Sequence, residues 1–462
     1  MVPMRYRKEK DALGYVNIPA DAYYGSETQR ALNNFPISRI SLPAIFIHRY
    51  ALLKKAAADA NMLSAKLDSR RGNAIRKACG EVAEGKFDSQ FSIDIFQAGA
   101  GTSTNMNLNE VVANRAIEIL GGKKGNYTIV HPNDHVNMSQ STNDSFHTAV
   151  HITTYLEIKD KLLPSAERLK GALARKSREF SKVVKVGRTH LQDAVPITLG
   201  DEFSGYEGAV AFAIEGVKKA MDDLRAVPLG GTAVGTGINA PKGYKENTLR
   251  YLYKYTGARF TAPKYEFSYM QNQMAELRVA DSLKGLAVVV NKIANDLRLL
   301  GSGPMDGFGD IKLPEVQPGS SIMPGKINPS MAEMMNMACF QAFGNVATIT
   351  EAASAGQLEL NVFMPIIAYN LIFMIDYFSS AMRAFTDRCI SGIKPNTNRI
   401  NSQLGKNLSI VTALSPVIGY SKAAEIAREA YLKDKSIKEI CLERKIMGEE
   451  ELDRLLDPRR QV

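Results

Sequence analysis

Ser320, Ser321, Lys326 and Asn328 fall in one short stretch, GSSIMPGKINP (Gly319–Pro329), together with two glycines and two prolines. Two hydroxyls, a cation and an amide, followed by a helix beginning near Pro329, can surround a carboxylate with hydrogen-bond donors and the positive end of a helix. A flexible connector would explain the glycines and prolines. It would not explain the four polar side chains. The stretch closes a long irregular segment, GSGPMDGFGDIKLPEVQPGSSIMPGKINP, and loops of that length inside a domain usually bind or cover something.

Three further polar constellations have similar chemistry. In GAGTSTNMNLNE (Gly99–Glu110) small residues bring backbone N–H groups near a ligand, while Thr102, Ser103, Thr104 and Asn105 offer side-chain donors. A capped helix start would use the same residue types, and both roles can coexist. HPNDHVNMSQSTND (His131–Asp144) ends in Ser141, Thr142 and Asn143, another set of donors at a helix start. Its His131/His135 pair has metal-ligand spacing, but Pro132 argues against a helix and no third ligand stands out. In VGRTHLQDAVPITLGDEF, Thr189 and His190 are expected to precede a helix; a lone histidine is more often structural, but Arg188, Gln192 and Asp193 beside it favour function. GGTAVGTG (Gly230–Gly237) lacks both the lysine of a phosphate-binding loop and the spacing of a dinucleotide fingerprint.

The elements that must hold these segments are mainly helical. Apolar residues recur at three- and four-residue spacing over Thr148–Arg178, Gln271–Leu300, Asp201–Asp223 and Pro329–Ala353. Helices this long, apolar on more than one face, need several neighbours each, which predicts a bundle whose core extends across subunits. Three domains are expected: a mixed N-terminal region over residues 1–140, a central long-helix bundle over 141–395 and a small helical region over 396–462.

Length and composition are those of a soluble globular protein: 462 residues, 45% hydrophobic and 23% charged. The opening MVPMRYRKEKD carries charges where a signal peptide needs an apolar core, so a cytoplasmic location is expected. The apolar run Val362–Phe378 is interrupted by Pro365, Asn370 and Asp376 and reads as a buried helix rather than a membrane span. Cys79, Cys339, Cys389 and Cys441 are too scattered for a metal cluster and read as buried thiols. The net charge of +10 is spread along the chain without a basic stripe, so neither nucleic acid nor membrane is an expected partner.

Together the segments resemble the fumarase/aspartase superfamily, whose hallmark GSSxMPxKxNP is matched throughout Gly319–Pro329. The resemblance runs from DALGYVNIPADAYYGSETQRALNNFPI near the start to GYSKAAEIAREA near the end. It implies an all-α homotetramer with a central twenty-helix core and active sites each shared among three subunits. GAGTSTNMN, QSTND and SAGQLELN (Ser354–Asn361) are similar to the aspartate ammonia-lyases, whereas TLGDEFSGY is similar to the class II fumarate hydratases. His147 stands where both usually have proline.

The activity implied is reversible deamination of L-aspartate to fumarate, with hydration of fumarate to L-malate as the alternative and an inactive binding or assembly protein of the same fold ranked below both. In either reaction a small dicarboxylate loses a proton beside one carboxylate, and an aci-carboxylate must be stabilised by preorganised donors. By resemblance Ser320 is the base, an alkoxide supported by backbone N–H groups of its loop and by Lys326. Thr102, Ser141, Thr142 and Ser321 hold the carboxylate that gains charge; Thr189, Lys326 and Asn328 hold the other. Asn143 and His190 face the leaving group, and Glu333 orients the imidazole. Ammonia can leave from a protonated amine, whereas hydroxide requires His190 to act as an acid. Neither reaction calls for a cofactor or metal.

Overall fold

A computed structural model describes residues 5–462, so the first four residues of the charged N-terminal opening lie outside the described residues. Among the described residues the fold is all-α apart from three short two-stranded ribbons. β1 (Tyr6–Asp11) and β2 (Gly14–Pro19) form a hairpin with Asp11 opposite Gly14, whose φ of 115° suits a residue without a Cβ. The helices α1 (Ser26–Asn34), α2 (Ala44–Leu63), α3 (Ser69–Ala83), α4 (Thr102–Ile119) and α5 (Thr142–Glu157) follow. A π-helical turn, Ile158–Leu162, then leads into α6 (Leu163–Glu179).

β3 (Val184–Thr189) and β4 (Gln192–Thr198) pair antiparallel with a register shift at Gly187, and β4 runs straight into α7 (Leu199–Met221). After α8 (Tyr244–Thr256) and α9 (Glu266–Gln271) comes α10 (Met274–Leu300). The strand pair β5 (Ile311–Lys312) and β6 (Lys394–Pro395) brackets α11 (Ser330–Ser354) and α12 (Met364–Arg388). The tail comprises α13 (Thr397–Leu404), α14 (Ser415–Ile418), α15 (Tyr420–Lys433), α16 (Ile437–Glu443) and α17 (Glu449–Leu455).

The periodicity of the long helices translates directly into burial. On α11, Met335, Cys339, Ala342, Val346 and Ile349 are buried at three- and four-residue steps, the stripe expected of an amphipathic helix. A second face of α11 leaves Met337 62% and Phe340 57% exposed, and Phe212 on α7 and Val288 on α10 are likewise uncovered within the chain. The run Val362–Phe378 lies mainly in α12, with Ile367, Leu371, Ile375 and Phe378 buried. All four cysteines are buried free thiols.

The fold divides into two compact units. One comprises the stretch up to Leu163 with Gly216–Gly285 and Gln341–Phe378; the other comprises Pro164–Glu215, Leu286–Phe340 and Ser379–Val462. The first is organised around α2, which packs on α3, α5 and α8. The second holds the β3–β4 hairpin and a separate apolar cluster in the tail, in which Leu414, Ile426, Ile437, Ile440 and Leu452 are fully or almost fully buried.

Candidate active site

In the first unit the candidate residues gather at two helix starts. Gly99–Gly101 forms a tight turn into α4, with Ala100 at φ 57° and Gly101 at φ 85°. A Cβ at Gly101 would lie 2.3 Å from the Phe146 ring, so only glycine lets α4 begin here. Thr102 therefore opens α4 in an exposed position, its hydroxyl donating to Gly99 O at 3.3 Å.

Ser141 caps α5 through a capping box. Its hydroxyl accepts from the Asn143 N–H at 3.2 Å, while Asp144 Oδ1 accepts from the Ser141 N–H at 2.9 Å. Asp144 Oδ2 takes the N–H groups of Gly230 and Thr232 at 2.9 and 3.1 Å. The glycine-rich segment GGTAVGTG thus spends backbone donors on a carboxylate of its own chain, which positions Ser141, Thr142 and Asn143. Asn143 Nδ2 donates to Ala233 O in the same segment at 2.7 Å.

Behind these donors runs a buried network. Asn105 Nδ2 donates to Thr142 Oγ1 at 2.9 Å, which ties α4 to α5, and Tyr50 donates to Asn105 Oδ1 at 2.7 Å. Asn137 Oδ1 accepts from Lys54 Nζ at 2.8 Å and from Asn105 at 3.3 Å. Burial lowers the Lys54 ammonium to about 7 and raises the Asp144 carboxyl to about 6, where backbone N–H donors and Lys54 restrain the rise. Sequence reading missed Lys54, Tyr50 and Asn137. A signal for Lys54 existed: it lies three or four residues from the buried Ala51, Ala57 and Ala58, on the apolar stripe of α2.

In the second unit Thr189 and His190 stand at a hairpin tip, and they precede the helix α7 with β4 in between. His190 and Leu191 both have positive φ, 57° and 58°, in a two-residue turn whose usual residues are Asn and Gly. His190 is exposed. Below the tip, Arg188 Nη1 donates to Asp310 Oδ2 at 2.6 Å, and Lys185 Nζ lies 3.1 Å from the same oxygen. Arg188 also donates to Gln403 at 3.0 Å and covers the Phe308 ring, so the hairpin is fastened by its basic residues.

The hallmark stretch is a closed loop. Gly319 N donates to Lys326 O at 2.9 Å, and Asn328 Nδ2 donates to Gly319 O at 2.5 Å. A Cβ at Gly319 would sit 2.4 Å from Lys326 O, so the closure demands glycine. Inside the loop Ser320 Oγ accepts from the N–H groups of Ile322 at 3.2 Å and Met323 at 2.9 Å. Two backbone donors on one hydroxyl oxygen favour its anionic form. Ser321 and Lys326 are exposed, and Glu333 sits in the first turn of α11. Among the described residues no hydrogen bond joins this loop to the hairpin tip, or His190 to Glu333.

The His131/His135 pair has a different use. Pro132–Val136 makes one π-helical turn, contrary to the expectation that Pro132 forbids a helix, because proline fits a first helical position. His131 Nδ1 accepts from the N–H groups of Asn133 and Asp134, both at 3.2 Å, and His135 Nδ1 accepts from the His131 N–H at 2.7 Å.

Residues 14–344 match the family described as Lyase, and residues 410–460 match the family described as Fumarase C C-terminus. A class II fumarate hydratase of Brucella suis biovar 1 is 46% identical over 456 residues, covering 99% of this chain and 98% of the relative. An aspartate ammonia-lyase of Bacillus subtilis is 47% identical over 453 residues, covering 98% and 95%. The crystal structure of a class II fumarase from Schistosoma mansoni superposes with a TM-score of 0.96 at 37% identity, covering 98% of each chain. With near-complete coverage at this identity, and the hallmark loop folded around its serine, the chain belongs to the fumarase/aspartase lyase superfamily.

Proposed function

We propose that this protein is a fumarate hydratase, adding water reversibly to fumarate to give L-malate, with Ser320 as the base. The observation that carries the chemistry is the Ser320 oxygen held by two backbone N–H groups in a closed, glycine-dependent loop. In the dehydration direction, from malate to fumarate, the Ser320 alkoxide takes the proton beside one carboxylate, and that carboxylate becomes an aci-dianion. Thr102, Ser141, Thr142 and Ser321 donate to it; Thr189, Lys326 and Asn328 hold the other carboxylate. His190, oriented by Glu333, protonates the departing hydroxide, with Asn143 beside it. An alkoxide that bulk solvent would protonate requires the loop to close over bound substrate and exclude water.

Water is preferred over ammonia because class II fumarate hydratases from several organisms match 97–99% of this chain at 45–46% identity and TLGDEFSGY is similar to theirs; identity alone does not separate the two activities. Deamination of L-aspartate, first in order by motif resemblance alone, stands as the second reading, supported by two aspartate ammonia-lyases at 46% and 47% identity. The uncovered apolar faces of α7, α10 and α11 support a homotetramer built around a shared helical core, in which three subunits complete each site. A three-part division at residues 140 and 395 and a cytoplasmic location belong to the same reading.

The test is to offer the purified protein fumarate with and without ammonium and to identify the product by NMR. Malate formed in ammonium-free buffer, with no ammonia released from aspartate, is expected. Aspartate formed only with ammonium would replace the first reading by the second. No turnover of fumarate, malate or aspartate would leave a binding protein of this fold.

A further inference from the structure

We propose a second anion site, for a polyphosphate, in a cleft between α2 and α3 that shares no residue with the candidate active site. The cleft has a volume of about 520 Å³ and is lined by Lys55, Arg76, Lys77 and Lys86, with Glu81 and Glu84. The lining thus holds four cations against two carboxylates. Glu81 is taken by Arg115, which lies outside the lining, at 2.5 Å; Glu84 is taken by Lys86 at 2.8 Å. Among the described residues Lys55 and Lys77 have no carboxylate at ion-pair distance. Lys55 is half-buried against the Tyr255 ring, 4.5 Å from its centroid, which fixes its ammonium in place without neutralising it.

Arg76 reaches Asp59 only at 3.5 Å through one nitrogen, which leaves most of its guanidinium fork for a ligand. Gly80 leaves the α3 wall open: a Cβ built there meets only Lys55 Nζ, at 3.6 Å. A planar fork and two ammonium groups without a carboxylate at ion-pair distance, around an open wall, suit consecutive phosphates, which spread several charges over a few ångströms. A small dicarboxylate offers fewer acceptors at wider spacing. The shared chemistry is the phosphate chain, whether inorganic or carried by a nucleoside.

The test is isothermal titration of the full-length protein with tripolyphosphate and, separately, adenosine triphosphate at low ionic strength. One ligand per chain is expected. Affinity should fall at least about tenfold in Lys55→Gln/Lys77→Gln and be retained in Lys8→Gln/Lys10→Gln, which removes the same charge from the exposed β1 strand. Gly80→Glu, which helix propensity favours and which sets a carboxylate beside Lys55, should abolish binding with the melting temperature preserved. Binding of both polyphosphates assigns the phosphate chain as the ligand; binding of only adenosine triphosphate assigns a nucleotide to the same cleft. No binding by the wild type, equal loss in both double variants, or full affinity in Gly80→Glu would overturn the site.

Discussion

Ser320 is the residue on which the proposed chemistry depends, and its support comes from the backbone of its own loop rather than from a neighbouring base. Ser320→Ala should therefore lower kcat by more than about a thousandfold while circular dichroism and melting stay as in the wild type, because a loop hydroxyl contributes little to the core. If kcat stays above about a tenth of the wild-type value, a loss under ~1.4 kcal/mol, Ser320 is not the base. His147 tests a different property. Among the described residues it is fully buried on α5 with neither ring nitrogen hydrogen-bonded, and burial lowers its pKa to about 4. The native state keeps it neutral while the unfolded chain takes up a proton below about 6.5. Its contribution is thus complete above that pH and is lost as pH falls towards 4, by at most about 3 kcal/mol. The neighbouring His151, raised by its contact with Glu276 at 3.0 Å against the opposing effect of burial, acts in the opposite sense. The His147→Leu variant isolates the first effect. Its melting temperature should fall less than the wild type's between pH 7 and pH 5, and parallel curves would show that His147 does not couple to pH.

At the scale of elements, the hairpin and the hallmark loop are held by single polar or backbone features that apolar packing does not replace. Asp310 has no exposed side-chain surface and pairs with both Arg188 and Lys185. Asp310→Ala leaves Lys185, itself 2% exposed, with Glu202 at 3.5 Å as its one ion-pair partner among the described residues. Loss of a buried partner costs on the order of 3–5 kcal/mol. A drop in melting temperature with a fall in kcat is expected, since the hairpin carries Thr189 and His190; unchanged melting would show the cluster to be dispensable. In the loop, Gly319→Ala forces a methyl into Lys326 O and should abolish turnover with little change in melting, because most of the loop is exposed. Wild-type kinetics in that variant would argue that the closed loop conformation is not needed for turnover.

For the whole molecule, the uncovered faces of the long helices set the expectation. Phe212 is 84% exposed, Met337 62% and Phe340 57%, all on helices whose opposite faces are buried. Apolar surface of that kind on several long helices marks an interface. Sedimentation should give one tetrameric species, and Phe340→Glu should dissociate it and remove activity together. A fully active monomer would end both the shared-site reading and the bundle reading.

Local composition and periodicity were enough to determine the helical class, the extents of α7, α10 and α11, and the polar loop around Ser320, because a repeat of apolar residues and a cluster of Gly, Pro and Ser act on their own neighbourhood. The hairpin at His190 was not legible. Its turn places His and Leu at positive φ, and neither residue announces such a turn, so distant contacts such as Arg188 with Asp310 must stabilise it. The same reason hid the partner of GGTAVGTG. Its amides meet Asp144, 86 and 88 residues earlier in the chain, and that meeting exists only once α5 is packed. Lys54 and Asn137 join the Thr142 network across 83 residues of chain. Sequence determined which residues could donate hydrogen bonds; tertiary structure decided which donors remain for a ligand, because burial obliges the others to satisfy groups of the protein itself.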